Sequence, residues 1–290
     1  MPTTVLQQPP KLGPLYRAAA LRRSTGSTLP DRSLRLDGVR VDLPRLAEYD
    51  RVCGFRLGDE LPATYPHVLA FPLAMALMTA DDFPFPLLGL VHVANRIDVR
   101  RPLLAGETFS LTVRAEALRP HERGTQLDVV ATAAVNDEVV WTDRSTYLRK
   151  AGKPARSDKA PRAEAPRATA EWRVPRRIGA DYAAVSGDRN PIHTSRVLAR
   201  VFGFPRTITH GMWTKARCLA ALEGRLPAAY GVDVQFKLPI LLPATVGFAA
   251  QPERTGWQFA VHDRRTGKPH LAGAIVEPDC ADPDEGNRAE

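Results

Sequence analysis

The sequence predicts an α+β fold built from one unit used twice, each unit an antiparallel sheet wrapped around a central helix. Three observations lead there. The first is an internal repeat: Tyr49–Arg56 (YDRVCGFR) echoes Tyr182–Arg189 (YAAVSGDR), and RRPLLAGETFSL (Arg100–Leu111) echoes KLPILLPATVGF (Lys237–Phe248), with Pro102 against Pro239 and Thr108 against Thr245. The second is the stretch Arg149–Arg167, rich in Pro, Ala and charge and almost without large apolar side chains, which reads as a linker between the two copies. The third is that each copy runs in the same order: a turn-rich segment, a helix, then several strands.

In chain order, residues 1–35 form a basic arm (Lys11, Arg17, Arg22, Arg23, Arg32, Arg35) expected to be poorly ordered. Residues 36–150 form the first unit. Its helix, AFPLAMALMTADD, is almost wholly apolar and is expected to be buried on all sides. Alternating segments come next at Val91–Val99, Thr108–Ala115, Leu127–Ala133 and Val139–Thr142, as half-buried strands require. Residues 151–172 are the linker, and 173–290 the second unit. There HGMWTKARCLAALEGRL carries Met212, Ala216, Leu219 and Leu222 at helical spacing, with Gly224 as a stop; Val232–Phe236 and Trp257–Val261 are strands.

Composition narrows the class of protein. The 290 residues are 44% hydrophobic and 25% charged, a globular balance. No apolar run approaches the roughly 18 to 20 residues that span a bilayer, and the N-terminus lacks the apolar core of a secretory signal. Cys53, Cys218 and Cys280 are too few and too scattered for a disulfide framework or a zinc cluster, so a cytoplasmic setting is expected. The net charge of +8 suits either a solvated linker or an acidic or phosphorylated partner. Zinc-finger spacing, an aromatic RNA-binding motif and a basic heptad helix are all missing, so nucleic acid is not the expected partner.

The stretch YAAVSGDRNPIH (residues 182–193) is turn chemistry, yet it also holds a carboxylate and, five residues on, an imidazole. Taken singly, Asp188 is a turn residue and His193 a structural histidine. Extended to Met212, the stretch YAAVSGDRNPIHTSRVLARVFGFPRTITHGM resembles the hydratase motif of MaoC-like dehydratases, the hotdog-fold (R)-specific enoyl-thioester hydratases: S-G-D-x-N-P-I-H, then G-F, then I-x-H-G-M. The whole chain, a degenerate first unit and a complete second one, is similar to the double hotdog 3-hydroxyacyl-thioester dehydratases of the mycobacterial type. The resemblance implies that Asp188 and His193 flank a water and move its protons, that Asn190 supports the motif, and that the Gly211 N–H forms an oxyanion hole. Gly211 also opens the second helix, where backbone donors are unpaired and the dipole is positive, and a glycine lets a ligand approach closely. His210 and Ser186 read as structural members of the motif.

By the repeat, Phe55, Leu57 and Glu60 stand in the first unit where Asp188, Asn190 and His193 stand in the second, and Phe71-Pro72-Leu73 where His210-Gly211-Met212 stand. Proline has no N–H to offer an oxyanion. The first unit therefore reads as a non-catalytic, apolar partner (Phe71, Leu73, Met75, Leu77, Met78, Phe83) that leaves room for a long acyl chain. His67, His92, His121, His262 and His270 are scattered, without metal-ligand spacing. One departure concerns the turn after H-G-M, where some relatives place a hydroxyl and this chain has Ala216, Arg217, Cys218 and Leu219.

The expected activity is hydration of trans-2-enoyl thioesters and dehydration of (R)-3-hydroxyacyl thioesters in fatty-acid metabolism. No metal or redox cofactor is expected; coenzyme A or acyl carrier protein arrives as part of the substrate. Monomer and homodimer both stay open. Two other readings are a hotdog acyl-thioesterase and a non-catalytic acyl-thioester-binding subunit.

Overall fold

A computed structural model describes residues 1–21, 26–87, 89–151 and 165–279. The chain runs β1 (Thr3–Leu6), α1 (Leu12–Leu21), β2 (Ser33–Val39), α2 (Leu43–Cys53), α3 (Tyr65–Met78), β3 (Leu90–Val99), β4 (Phe109–His121), β5 (Gly124–Val135) and β6 (Glu138–Lys150). The second unit comprises β7 (Ala170–Val174), α4 (Ile178–Ser186), α5 (Pro191–Thr194), α6 (Arg196–Val201), α7 (Gly211–Ala221), β8 (Tyr230–Phe236), β9 (Ala244–Glu253), β10 (Gly256–Asp263) and β11 (Pro269–Val276).

The strands do not make two separate sheets. They form one sheet of order β1-β2-β4-β5-β6-β3-β8-β11-β10-β9-β7, antiparallel except for the β1–β2 pair. The units join where β3 pairs with β8, from Ala94 opposite Gln235 to Val99 opposite Tyr230. Pairing those two strands removes an exposed edge from each unit. The apolar helices α3 and α7 pack on the concave side, burying Leu73, Leu77, Met78 and Met75 from α3 and Met212, Ala216, Cys218 and Leu219 from α7. Among the described residues no helix is long and apolar enough to cross a membrane.

The repeat is visible in the turns. Both α2 and α4 end on a left-handed glycine, Gly54 (φ 83°) and Gly187 (φ 80°), each donating its N–H back into the last helical turn. Tyr49 and Tyr182 meet with ring centroids 6.2 Å apart, where the two copies face one another.

Beyond those glycines the sequence alignment needs correction. The helix of the first unit begins at Tyr65, after Thr64, so Thr64-Tyr65-Pro66, and not Phe71-Pro72-Leu73, stands where His210-Gly211-Met212 stands; Pro72 lies inside α3. Glu60 bridges to Leu104 as Ile208 bridges to Leu241, so Glu60 is the counterpart of Ile208 and not of His193. The alignment slips because the second unit carries α5 and α6 between its turn and its helix, while the first unit crosses directly.

The N-terminal arm is also different from the expectation. β1 and β2 extend the sheet, and Arg32 and Arg35 pair with Asp82, Asp37 and Asp137. β2 pairs edge to edge with β4, and the alternation in SLRLDGV turns Leu34 and Leu36 to the buried face of the sheet. At the linker, β7 takes in Ala170 and Glu171, held by Trp172 stacked on Phe248 at 4.7 Å. Most of the linker, with Cys280 and the C-terminus, lies outside the described residues.

Candidate active site

The site is assembled from the end of α4 onward. Gly187 stops the helix in a left-handed turn, and the Ser186 hydroxyl accepts the Asp188 N–H at 3.2 Å. The Asn190 N–H donates to Asp188 Oδ1 at 3.1 Å, while its side-chain oxygen caps α5 through the Ile192 N–H at 3.3 Å. Pro191 at the first helical position costs the turn nothing, since its missing N–H would have been unpaired. One turn then delivers His193 beside Asp188.

The two imidazoles are sorted by their partners. His193 donates Nδ1–H to the Ile208 carbonyl at 2.9 Å, which leaves Nε2 as a lone-pair acceptor. His210, the residue preceding α7, donates Nε2–H to the Asp188 carbonyl at 3.0 Å, and its ring stacks on His193 at 3.6 Å and 24°. The same nitrogen lies 3.6 Å from Asp188 Oδ2. Burial drives His193 below its ordinary range despite Asp188 and the Ile208 bond, and burial beside His193 pushes His210 down to about 3. Burial alone would raise Asp188, but the two imidazoles and the Asn190 N–H outweigh it and hold the carboxyl below its usual value. Near neutral pH the site therefore holds a carboxylate and a neutral imidazole whose Nε2 is unprotonated.

Asp188, His193 and His210 each bring a metal-ligand atom within 4.8 Å of the others. A shared ion does not fit them. Imidazole lone pairs lie in the ring plane, and two rings stacked almost face to face cannot both aim at one tetrahedral centre. His210 Nε2 is moreover already a donor.

Gly211 opens α7 as expected, so its N–H belongs to the unpaired first turn. The reason for a glycine here differs from close approach of a ligand alone. A Cβ would stand 2.9 Å from the Phe236 ring, so packing against β8 also demands it. A second glycine matters more than its place in the sequence suggests: a Cβ on Gly179 would lie 2.3 Å from the His193 carbonyl oxygen. Gly179→Ala must push α5 away from α4. The expected result is a folded protein destabilised by about 1–3 kcal/mol whose kcat falls with it, measured by thermal melting and turnover of one acyl-thioester.

Three features of the site join residues that no motif in the sequence brings together. Tyr16, from α1, donates its hydroxyl to the Gly187 carbonyl at 2.9 Å, accepts the Arg189 N–H at 2.6 Å, and lies 3.4 Å from Asp188 Oδ1. The arm thus clasps the turn that carries Asp188. Tyr16→Phe is expected to lower kcat/KM by roughly 5- to 10-fold, the worth of one modest hydrogen bond, with little change in melting temperature.

The second feature is a buried polar chain between the units. His67 on α3 pairs through Nδ1 with Asp143 Oδ2 at 2.5 Å, and the Asn95 amide bonds both Asp143 and Ser145. Lys215 on α7, fully buried, donates to Asn95 Oδ1 at 2.5 Å, Asn95 O at 3.2 Å and Val232 O at 3.0 Å. One signal for Lys215 was present: it sits between Met212 and Leu219 on the apolar stripe of its helix.

The third feature is His92, stacked on Tyr147 at 4.8 Å and edge-on to Phe236 at 4.9 Å, with His67 at 6.4 Å. His67 and His92, far apart in sequence, are neighbours, and the first unit is less apolar than expected. His121, His262 and His270 lie elsewhere, and Met75 and Met78 are core as expected.

A double hotdog with an Asp–His pair at a helix-opening glycine defines an acyl-thioester hydratase class, and the chain belongs to the MaoC-like dehydratase family. The MaoC like domain matches residues 153–273. The chain is 38% identical to 3-hydroxyacyl-thioester dehydratase X of Mycobacterium tuberculosis over 93% of its own length and 99% of that protein's. It superimposes on the crystal structure of HtdX from the same organism with a TM-score of 0.77, at 36% identity, covering 85% of this chain and all of that one. Enoyl-CoA hydratase ChsH3 of M. tuberculosis is 28% identical over 62% of this chain and 68% of its own.

Proposed function

We propose that the protein adds water reversibly to trans-2-enoyl thioesters, giving (R)-3-hydroxyacyl thioesters, and that Asp188, His193 and Gly211 carry the reaction. The observation that supports the roles is the complementary state of the pair: a carboxylate beside an imidazole with a free Nε2. A water between them loses a proton to the pair as its oxygen bonds C3. The C2=C3 electrons move onto the thioester oxygen, where the Gly211 N–H at the positive end of α7 meets the charge. The enolate then collapses and C2 takes its proton from the pair, so one water has been added and no group is oxidised or reduced. Asn190, Ser186 and His210 position the pair and touch no reacting atom. The two described cysteines are unpaired and buried, which agrees with a reducing, cytoplasmic setting.

The pH dependence is set by the directions of the shifts. Activity needs Asp188 ionised and His193 neutral, and both groups are held below their ordinary values. Activity is therefore full at neutral pH and lost only as acid protonates them. The expected kcat/KM profile is flat above about pH 7, with an acid limb whose midpoint lies below the ordinary histidine value of about 6.5. A limb centred above pH 7 would contradict the assignment.

The direct test is loss of the enoyl-thioester absorbance band with crotonyl-CoA and dodecenoyl-CoA, with free thiol followed in parallel. Loss without thiol release supports hydration. Thiol release would point to a thioesterase, and activity appearing only with an added subunit to a binding partner. Faster reaction of the longer chain would support the accommodating role of the first unit.

A further inference from the structure

The segment that the second unit has and the first lacks includes a helix turned inside out. α6 packs inward through Ala199, which is fully buried. At 100° per residue, Val197 and Val201 fall opposite Ala199 with Leu198 next to Val201, and Phe202 follows where the helix ends. These four are 71%, 73%, 43% and 41% exposed. A surface helix ordinarily turns its apolar stripe to the core; this one presents it to solvent. Single exposed apolar residues need no explanation, but a contiguous group marks a contact surface.

The charge around it has one sign. Arg196 and Arg200 form the next stripe of the same helix, and Arg189 and Arg206 flank it, all exposed. Among the described residues none of the four takes part in an ion pair. The patch adjoins the site covalently: Arg189 is bonded to Asp188, and Ser195, two residues after His193, caps α6 by accepting the Leu198 N–H at 3.3 Å.

We infer that α6 docks an acidic carrier protein that presents the acyl chain on its pantetheine thiol. This rests on the thioester reading above and names the carrier. Coenzyme A could use the arginines for its phosphates but has no use for four outward apolar side chains. A second copy of this chain could cover the apolar stripe, but it would set four arginines against four more on a molecule of net charge +8. An acidic surface with apolar residues at its centre satisfies both halves of the patch.

The test uses the full chain and two surface variants, R196E/R200E and V197S/V201S. Decenoyl thioesters of a purified acyl carrier protein and of coenzyme A are the substrates, and the decanoyl carrier protein is the unreactive binding probe. In each variant kcat/KM on the carrier-protein ester should fall on the order of tenfold or more, since like charge now faces like or the apolar contact is lost. On the coenzyme A ester it should change less than about twofold. Wild-type binding of the decanoyl carrier should weaken as salt rises, because the attraction is screened. An equal fall on the coenzyme A ester overturns the inference, as does no change on either. Dissociation of a dimer by V197S/V201S, with carrier binding intact, assigns the patch to self-association instead. If wild type turns over neither ester, the hydratase reading fails, and the binding arm still decides the docking surface by itself.

Discussion

His193→Gln and Asp188→Asn are each expected to lower kcat by about a hundred- to ten-thousandfold, the range a positioned acid or base supplies. Glutamine keeps a polar group near the Ile208 carbonyl but has no nitrogen able to take a proton. Asparagine keeps an oxygen for the Asn190 N–H and loses the charge that holds the water. Neither change opens a large void, so the folded state and the melting temperature should be nearly retained. The double variant should be scarcely slower than the worse single one, because two groups serving one water act as a unit. Stopped-assay turnover of crotonyl-CoA checks all three. Losses that multiply in the double variant would mean that the two residues act in separate steps.

Lys215→Met is expected to be the most damaging change to stability. Burial pushes the amine down to about 7, yet its three hydrogen bonds to Asn95 Oδ1, Asn95 O and Val232 O are what an ammonium group needs. Methionine fills the volume and leaves those acceptors dry, with the Asp143 carboxylate one residue further along the chain of bonds. Asp143 is held below its ordinary value, because His67 and Lys215 outweigh its burial. Breaking one member of such a buried network costs about 3–5 kcal/mol, and in a protein of this size that lowers Tm by roughly 6–20 °C. Lys215→Met with Asn95→Leu should cost less than the two single changes together, since the Lys215–Asn95 Oδ1 bond that each single change breaks is then lost only once. Thermal melts of the three variants measure this. A double variant as unstable as the sum would show that Lys215 and Asn95 do not act through one another.

Lys215 also ties the helix that carries Gly211 to the seam between the units, since Asn95 and Val232 sit on β3 and β8. Loss of activity in Lys215→Met below its melting temperature would show that the seam sets the position of the Gly211 N–H as well as the stability.

What the amino-acid order determined by itself was whatever is local. The turn from Ser186 to His193 takes its shape from residues that bond within a few positions of one another: Gly187 reversing the chain, Ser186 holding the Asp188 N–H, Asn190 capping the next helix. Such chemistry survives in a linear reading, as do the repeat and the strand alternation. The tertiary fold decided the rest. Tyr16 reaches Asp188 because β1 pairs with β2 and carries α1 to the turn. His67, Asn95, Asp143 and Lys215 meet because β3 pairs with both β6 and β8 beneath two helices. The start of α3 is hidden in the sequence because an apolar run shows no period by which to fix its ends. Hydrogen-bond ladders join residues at any separation in sequence, and burial, which makes those meetings energetically decisive, exists only once the sheet has closed over its helices.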